Sequence, residues 1–427
     1  MAIVSAIVAR DEIRLHSLLD RVLRLSYRWP VGEVYVDGVR VSARGLPDVS
    51  GRACLVAHHA GVGVVEELED GLRVHLKPSR LLGLEELDNS PFQSLIELRR
   101  GMIMLRTGQV GSPPLNYYAS DQLIAASCPS YLLGLRDAGE KITPPNTEMM
   151  LGLEGVRFKE RPTRASFELA SPPRLSDALE TLLEELFAAV KRSVARRCAL
   201  LFSGGIDSSL LAWICMALGL EPLAISVGLE GSHDLTFSSR AAKLLGVDHL
   251  SVALTEQEVA QKCSYLLKNI PLSSMMDKAL SVMIYEGSRH AALNGRRQLV
   301  SGQGADELFG GYMKYLRLVE SGSSSAAEAE MRRDLEMLWL TSIPRDYASA
   351  ALAGSLLTMP YLDERIIYNV YNLPLEFKIS RGVRKVLLRA AAKHAGVPEE
   401  LVAKEKKAAQ YGTGIERVLR RIQNYGG

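Results

Sequence analysis

Cys198-Ala199-Leu200-Leu201-Phe202-Ser203-Gly204-Gly205-Ile206-Asp207-Ser208-Ser209 decides the fold of this chain. The run from Cys198 to Phe202 is apolar throughout, as in a strand buried on both faces. A glycine turn follows, and then a helix expected from about Asp207 to Leu218. Glycines let backbone N–H groups approach a ligand with no Cβ in the way. The start of a helix adds orphan N–H donors and the positive end of its dipole. Serine hydroxyls add further donors, and the sum is a cradle for phosphate. A carboxylate inside such a cradle repels its guest unless a cation lies between them, so Asp207 reads as a Mg²⁺ ligand. The G-x-x-x-x-G-K-[ST] pattern of the Walker loop is absent.

Outward from this loop, Leu175 to Arg197 carries apolar residues at helical spacing, namely Leu179, Leu182, Leu183, Leu186, Phe187 and Val190. Downstream, a strand is expected over Pro222 to Val227, a helix over Leu235 to Leu245 and a strand over His249 to Leu254. A further strand, Gln298 to Val300, runs into Ser301-Gly302-Gln303-Gly304. This βαβαβ rhythm predicts a doubly wound α/β fold with a parallel sheet. Beyond it the chain reads as mostly helical, with Gly322 to Ser325 as an exposed loop. Residues 1 to about 170 alternate short apolar runs with turns. Examples are Val34 to Val36 before Asp37-Gly38, Leu72 to Leu76 after Asp70-Gly71, Gly101 to Leu105, and Leu123 to Ala126. Asp-Gly between strand-like runs signals a hairpin, so this part is expected to be a mostly β domain of about 1–170. Pro172-Pro173 reads as the linker to a second domain, 171–427.

Length allows two or three domains, and composition is that of a globular chain. The 427 residues are 47% hydrophobic and 23% charged, too apolar for a disordered chain. The net charge of +2 removes the main argument for a nucleic-acid or acidic-membrane binder. The five cysteines, at 54, 128, 198, 215 and 263, have no C-x-x-C spacing and read as small buried hydrophobes. No secretory signal pattern follows Met1, and the longest apolar stretch, Leu210 to Leu229, is broken by Glu221-Pro222. The default is therefore a soluble, cytoplasmic protein.

The Ser203 to Ser209 loop resembles the pyrophosphate-binding loop of N-type ATP pyrophosphatases. A second motif narrows the choice. Ser301-Gly302-Gln303-Gly304-Ala305-Asp306-Glu307-Leu308-Phe309-Gly310-Gly311-Tyr312 closely resembles the asparagine synthetase signature. Ser226-Val227-Gly228-Leu229, Pro360-Tyr361-Leu362-Asp363, and Lys385 to Arg389 with Lys404 to Gly414 also resemble elements of that family, over 175–415.

The resemblance implies an adenine nucleotide alpha-hydrolase-like domain with a helical C-terminal extension, and ATP and Mg²⁺ as cofactors. It implies ATP contacts from Leu201, Phe202, Ser203, Gly204, Gly205, Asp207, Ser208, Ser209, Ser226, Val227, Ser301, Gly302 and Tyr312. Asp207 and Asp306 would share the metal. Lys406 would meet the α-phosphate and Lys385 the departing pyrophosphate. Gln303 stands where many members have Glu; it can hydrogen-bond substrate but cannot be a general base. Leu356-Leu357-Thr358-Met359-Pro360 departs from the family's E-x-R-x-P, which puts the acceptor in doubt more than the ATP chemistry.

The first domain resembles the family's α+β glutaminase of the N-terminal nucleophile type, through Arg44 to Asp48, Pro114 to Tyr118, Leu123 to Ser127, Pro144-Pro145 and Leu151. Ala2 occupies the place of the catalytic Cys, and Ala has nothing to activate. Ser5 is no substitute, having no recognisable base. His58-His59 lacks ligand partners, Gly61-Val62-Gly63 lacks the third glycine of a dinucleotide fingerprint, and Trp213 and Trp339 read as core.

The expected function is ATP-dependent, AMP-forming amide synthesis: adenylation of the aspartate side chain, then attack by ammonia. The same chemistry on another acceptor, as in β-lactam synthetases, and a silent nucleotide-binding relative are the alternatives. Aspartate and ammonia are the expected small-molecule partners, with no nucleic acid and no membrane. A homodimer or a separate glutaminase subunit are the protein partners it allows.

Overall fold

The computed structural model describes residues 3–9, 31–36, 39–41, 53–58, 64–68, 71–75, 95–99, 102–107, 114–128, 139–160, 173–403 and 413–425. Two compact units divide it: Met1–Ala165 with Trp339–Gly354, and Ser166–Leu338 with Ser355–Gly427. Ala2, Arg44 to Asp48, His59, Gly61 to Gly63, Pro172 and Lys404 to Gly412, Lys406 included, lie outside the described residues.

The first unit contains β1 (Ile3–Ala9), β2 (Val31–Val36), β3 (Val39–Val41), β4 (Ala53–His58), β5 (Val64–Leu68), β6 (Gly71–His75) and β7 (Leu95–Arg99). They are followed by β8 (Met102–Arg106), β9 (Asn116–Ala119), β10 (Leu123–Cys128), β11 (Lys141–Ile142), β12 (Thr147–Gly152) and β13 (Gly155–Glu160). One sheet runs β11-β9-β10-β1-β4-β2-β3 and the other β13-β12-β8-β7-β6-β5. Strands cover the expected runs, β2 beginning three residues before its expected start and β6, β8 and β10 lying within two residues of theirs. Val36 faces Val39 across the Asp37-Gly38 connection, as the hairpin signal requires. The two sheets share one core. Ile96, Leu98, Ile103, Leu105, Met149 and Leu151 from one pack with Leu115, Ile124 and Ala126 from the other side.

The second unit opens with α1 (Leu175–Ser193), which buries Leu182, Leu183, Leu186 and Val190, the stripe its spacing marks. Then come β14 (Ala199–Leu201), α2 (Ile206–Ala217), β15 (Leu223–Leu229), α3 (His233–Leu245) and β16 (Asp248–Leu254). The chain continues through α4 (Glu256–Leu267), α5 (Met275–Leu293), β17 (Gln298–Val300), α6 (Ala305–Phe309), α7 (Met313–Glu320) and α8 (Ser324–Met337). α4 and α5 begin with capping boxes, Thr255 with Glu258 and Ser274 with Asp277, each satisfying two orphan donors. The exposed turn before α8 is Ser321 to Ser323; Ser324 and Ser325 already belong to the helix. After α9 (Ser342–Leu352), which groups with the first unit, the second unit resumes at β18 (Leu356–Thr358). It ends with α10 (Glu364–Tyr371), α11 (Leu375–Lys378), the small hairpin β19 (Ile379–Ser380) and β20 (Val383–Arg384), α12 (Val386–Ala395), α13 (Glu399–Ala403) and α14 (Ile415–Tyr425).

β18 is a strand that the sequence reading, mostly helical beyond β17, did not place. Its three residues are too few to show a period, and their apolar character continues that of the helices around them. The sheet is wholly parallel, in the order β16-β15-β14-β17-β18. Numbered by appearance in this unit, that is 3-2-1-4-5, the doubly wound order. α2 packs on β14 and α3 on β15 and β16; α5 packs on β14, β15 and β17 and is itself covered by α4 and α14. The order reverses between β14 and β17. In such sheets ligands bind at the carboxyl ends of the strands flanking that reversal.

Candidate active site

Both motifs leave the sheet at this switch point. The Ser203 to Ser209 loop follows β14, and Ser301 to Tyr312 follows β17, the neighbouring strand. They touch: a Cβ added to Gly302 would lie 3.2 Å from the Cβ of Asp207.

The first loop turns at Gly204, whose φ of +71° disfavours any side chain, and whose space is taken by Ala241 and Phe237 of α3. Ser203 organises the turn by accepting from the N–H of Gly205 at 3.3 Å. Ser208 donates back to the Gly205 carbonyl at 3.2 Å. Asp207 lies in the first turn of α2, and its backbone carbonyl accepts from the hydroxyl of fully buried Tyr361 at 3.0 Å. Burial, with the nearby Asp207 charge, raises the Tyr361 phenol well above its ordinary range, so it remains a donor. Ser209 is fully buried inside α2.

The second loop places Asp306 and Glu307 in the first turn of α6. Ser301 accepts from the N–H of Gln303 at 3.3 Å. Tyr312 donates to Glu307 at 2.6 Å, and burial together with the Glu307 and Asp306 charges raises its phenol well above the usual value. Leu201 and Val227 turn towards Gly287 of α5, inside the sheet layer.

Lys385 joins the two motifs. Its Nζ lies 2.5 Å from Asp207 Oδ1 and 2.7 Å from Asp306 Oδ1. The two carboxylate oxygens are therefore no further apart than those distances laid end to end. The lysine is 2% exposed and sits at φ +59°, in the left-handed region that non-glycine residues rarely adopt. The β19–β20 hairpin delivers it, and Arg384 fixes the hairpin by donating to the Gly311 carbonyl at 2.6 Å. Gly311 has no room for a side chain, because a Cβ there would overlap the Asp306 carboxylate and the Lys385 stem. The left-handed backbone at Lys385 is local strain of the kind that collects at functional sites.

The two carboxylates fit Mg²⁺, which binds through one or two protein carboxylates and completes its shell with phosphate and water. Among the described residues no group of three or more His, Cys, Asp or Glu suited to a metal is present. Asp207 and Asp306 would hold the ion, and it would neutralise phosphate charge. Thr413, near the end of the Lys404 to Gly414 stretch, accepts at its backbone carbonyl from the N–H of Leu229 at 2.9 Å, next to the carboxyl end of β15.

The sequence reading missed Tyr361, Arg384 and the buried Lys378. Tyr361 stands in the quoted Pro360 to Asp363 element, which was a signal; the other two had none. Lys378 lines a cavity of about 70 Å³ together with Glu307, Glu328, Arg332 and Tyr371, and donates to the Tyr371 carbonyl at 2.8 Å. Burial pushes its ammonium down to about 8, against the opposing pull of Glu328. Because the folded value lies below the unfolded one, the unfolded chain binds more protons between about pH 8 and 10.5, and stability rises with pH there. Below pH 8 the penalty is present in full. Lys378→Met is therefore expected to raise unfolding free energy at pH 7 by on the order of 2 kcal/mol and to flatten the rise. Urea unfolding at pH 7 and 10 checks both.

Other expectations resolve simply. Trp213 packs edge-on against Phe187 at 6.2 Å. Cys198, Cys215 and Cys263 are buried free thiols. No helix among the described residues is long and apolar enough to cross a membrane.

Comparison with known proteins agrees with the motifs. The family described as asparagine synthase matches residues 181–342 and 319–425. A putative asparagine synthetase [glutamine-hydrolyzing] 1 of Methanocaldococcus jannaschii is 28% identical over 396 residues, 80% of this chain and 72% of that protein. The asparagine synthetases [glutamine-hydrolyzing] of Gallus gallus and Homo sapiens are each 30% identical, over 63% and 54% of this chain. The chain spans half or less of those two, 50% and 42% of their lengths. Against the NMN synthetase of Francisella tularensis the TM-score is 0.32 at 14% identity, over 58% of this chain and 87% of that one, a likeness too slight to bear on fold or activity.

Proposed function

The chain belongs to the asparagine synthase family, and from that premise we propose that it is an ATP-dependent, AMP-forming ligase that adenylates a carboxylate and closes an amide with ammonia. The observation that carries the reading is the convergence of Asp207, Asp306 and Lys385 at the switch point, beside a glycine-turned loop that opens a helix.

The chemistry asked of these residues is positioning and charge neutralisation. The N–H groups at the start of α2 and the hydroxyls of Ser203 and Ser208 receive phosphate oxygens. A Mg²⁺ ion held by Asp207 and Asp306 would offset the charge of the departing pyrophosphate. Lys385, already at the carboxylates, supplies a fixed cation to the same charge. Lys406 serves the α-phosphate in this proposal. The acceptor is proposed as the side-chain carboxylate of aspartate, by analogy with the named relatives. Gln303 can hydrogen-bond the substrate but takes no proton, so the proton lost by the attacking nitrogen goes to a group other than Gln303.

Ammonia is proposed as the free nitrogen source. The N-terminal unit is proposed as a glutaminase-like scaffold, with Ala2 where the resemblance puts the catalytic cysteine. The test is product analysis with Mg²⁺-ATP and aspartate, comparing ammonia with glutamine. Asparagine from ammonia alone is the expected result. Equal yields from glutamine would defeat the ammonia assignment, and turnover only with another carboxylic acid would replace aspartate as acceptor.

A further inference from the structure

The sequence named Ser226 as a nucleotide neighbour, but its side chain is engaged inside the protein. Ser226, on β15, is 4% exposed, and its Oγ lies 2.5 Å from the carbonyl oxygen of Phe202. A carbonyl oxygen only accepts, so the single hydroxyl proton of Ser226 goes to Phe202. The same Oγ lies 2.9 Å from Nε2 of His249, near the start of β16. With its proton already placed, Ser226 can only accept there, so Nε2 of His249 must carry hydrogen. The other ring nitrogen, Nδ1, faces the hydroxyl of Ser239 on α3 at 3.4 Å. Burial lowers the pKa of the imidazole and keeps it neutral, leaving Nδ1 as an acceptor for Ser239. The result is a directed chain from Ser239 through His249 and Ser226 to the Phe202 carbonyl.

That carbonyl belongs to the last residue before the phosphate loop. The Phe202 N–H is also fixed, donating to the Ile225 carbonyl at 2.8 Å. β15 thus holds Phe202 at both ends, and the direction in which Ser203 and Gly204 leave the sheet is set there. The ring of His249 additionally stands edge-on to Phe202, with centroids 6.2 Å apart.

We propose that His249 is a positioning residue of the nucleotide site, aligning the Ser203 to Ser209 loop through Ser226 without touching the nucleotide. This rests on the proposed ATP chemistry and adds to it a residue that neither motif contains. A lost buried hydrogen bond weakens a preorganised site by about tenfold.

The test is calorimetric binding of Mg²⁺-ATP to the full chain and to His249→Ala, His249→Gln, Ser226→Ala and the Ser226→Ala/His249→Ala double variant. His249→Ala is expected to weaken binding about tenfold, and His249→Gln, which restores an N–H donor, to recover most of it. The double variant should bind no more weakly than Ser226→Ala alone, because the histidine acts through the serine. A general loss of packing would give neither the rescue by Gln nor that non-additivity. The proposal is overturned if His249→Ala binds like the unmodified chain, or if the two single effects multiply. Should the unmodified chain fail to bind Mg²⁺-ATP, the ATP reading itself falls and takes this inference with it.

Discussion

Asp306→Asn is expected to slow AMP formation by about a thousandfold or more, equivalent to roughly 4 kcal/mol of transition-state stabilisation. Asparagine keeps the shape of the side chain and can still accept a hydrogen bond from Lys385, so the folded structure should survive. What disappears is one of the two negative charges available to a cation at the phosphate loop. With Asp207 alone, a divalent ion bridging the nucleotide is held by a single carboxylate. Steady-state AMP production at saturating ATP and Mg²⁺ measures the effect, with urea unfolding as the check that stability has moved little. Activity within tenfold of the unmodified chain would sink the metal assignment.

Lys385→Met is expected to cause the largest loss of stability. Removing the ammonium leaves Asp207 and Asp306 facing one another in a site where Lys385 itself is almost fully buried. Breaking a buried ion pair from one side typically costs about 3–5 kcal/mol, because the remaining charge keeps its desolvation penalty. Here two like charges remain. The loss should be seen in chelator and should be partly recovered by Mg²⁺, which can take the vacated position between the carboxylates. The unmodified chain, whose carboxylates are already paired, should gain less from the same Mg²⁺. Urea unfolding with chelator and with excess Mg²⁺ separates the two cases. An identical Mg²⁺ response in both proteins would show that Asp207 and Asp306 do not form a cation site. AMP formation should also fall by at least about a hundredfold, since the fixed cation at the departing pyrophosphate is gone.

The parts of this site that could be read from sequence are those whose chemistry is local. Ser203 to Ser209 declares a phosphate cradle because glycine, serine and a helix start lie within seven residues, and the structure places it at the end of β14. Asp306 was legible through the run from Ser301 to Tyr312, and its meeting with Asp207 follows from β17 lying beside β14. Lys385 carried a signal only by resemblance, since a lysine in a basic stretch is ordinarily a solvated residue. Its burial depends on a left-handed backbone and a two-residue hairpin with no periodic pattern. The strand β18 was missed because Leu356-Leu357-Thr358 continues the apolar character of the helices around it, with no glycine motif after it like those that marked β14 and β17. His249 was illegible altogether. Its role comes from Ser226, Ser239 and Phe202 meeting it from three other segments, and no spacing along the chain encodes that.

The fate of the phosphates tests the central claim most directly. Phosphorus NMR of the full chain turning over Mg²⁺-ATP, aspartate and ammonia would show which bond of ATP breaks. Cleavage between the α and β phosphates is predicted, with AMP and pyrophosphate accumulating in equal amounts as the amide forms. ADP and inorganic phosphate as the primary products would contradict the account.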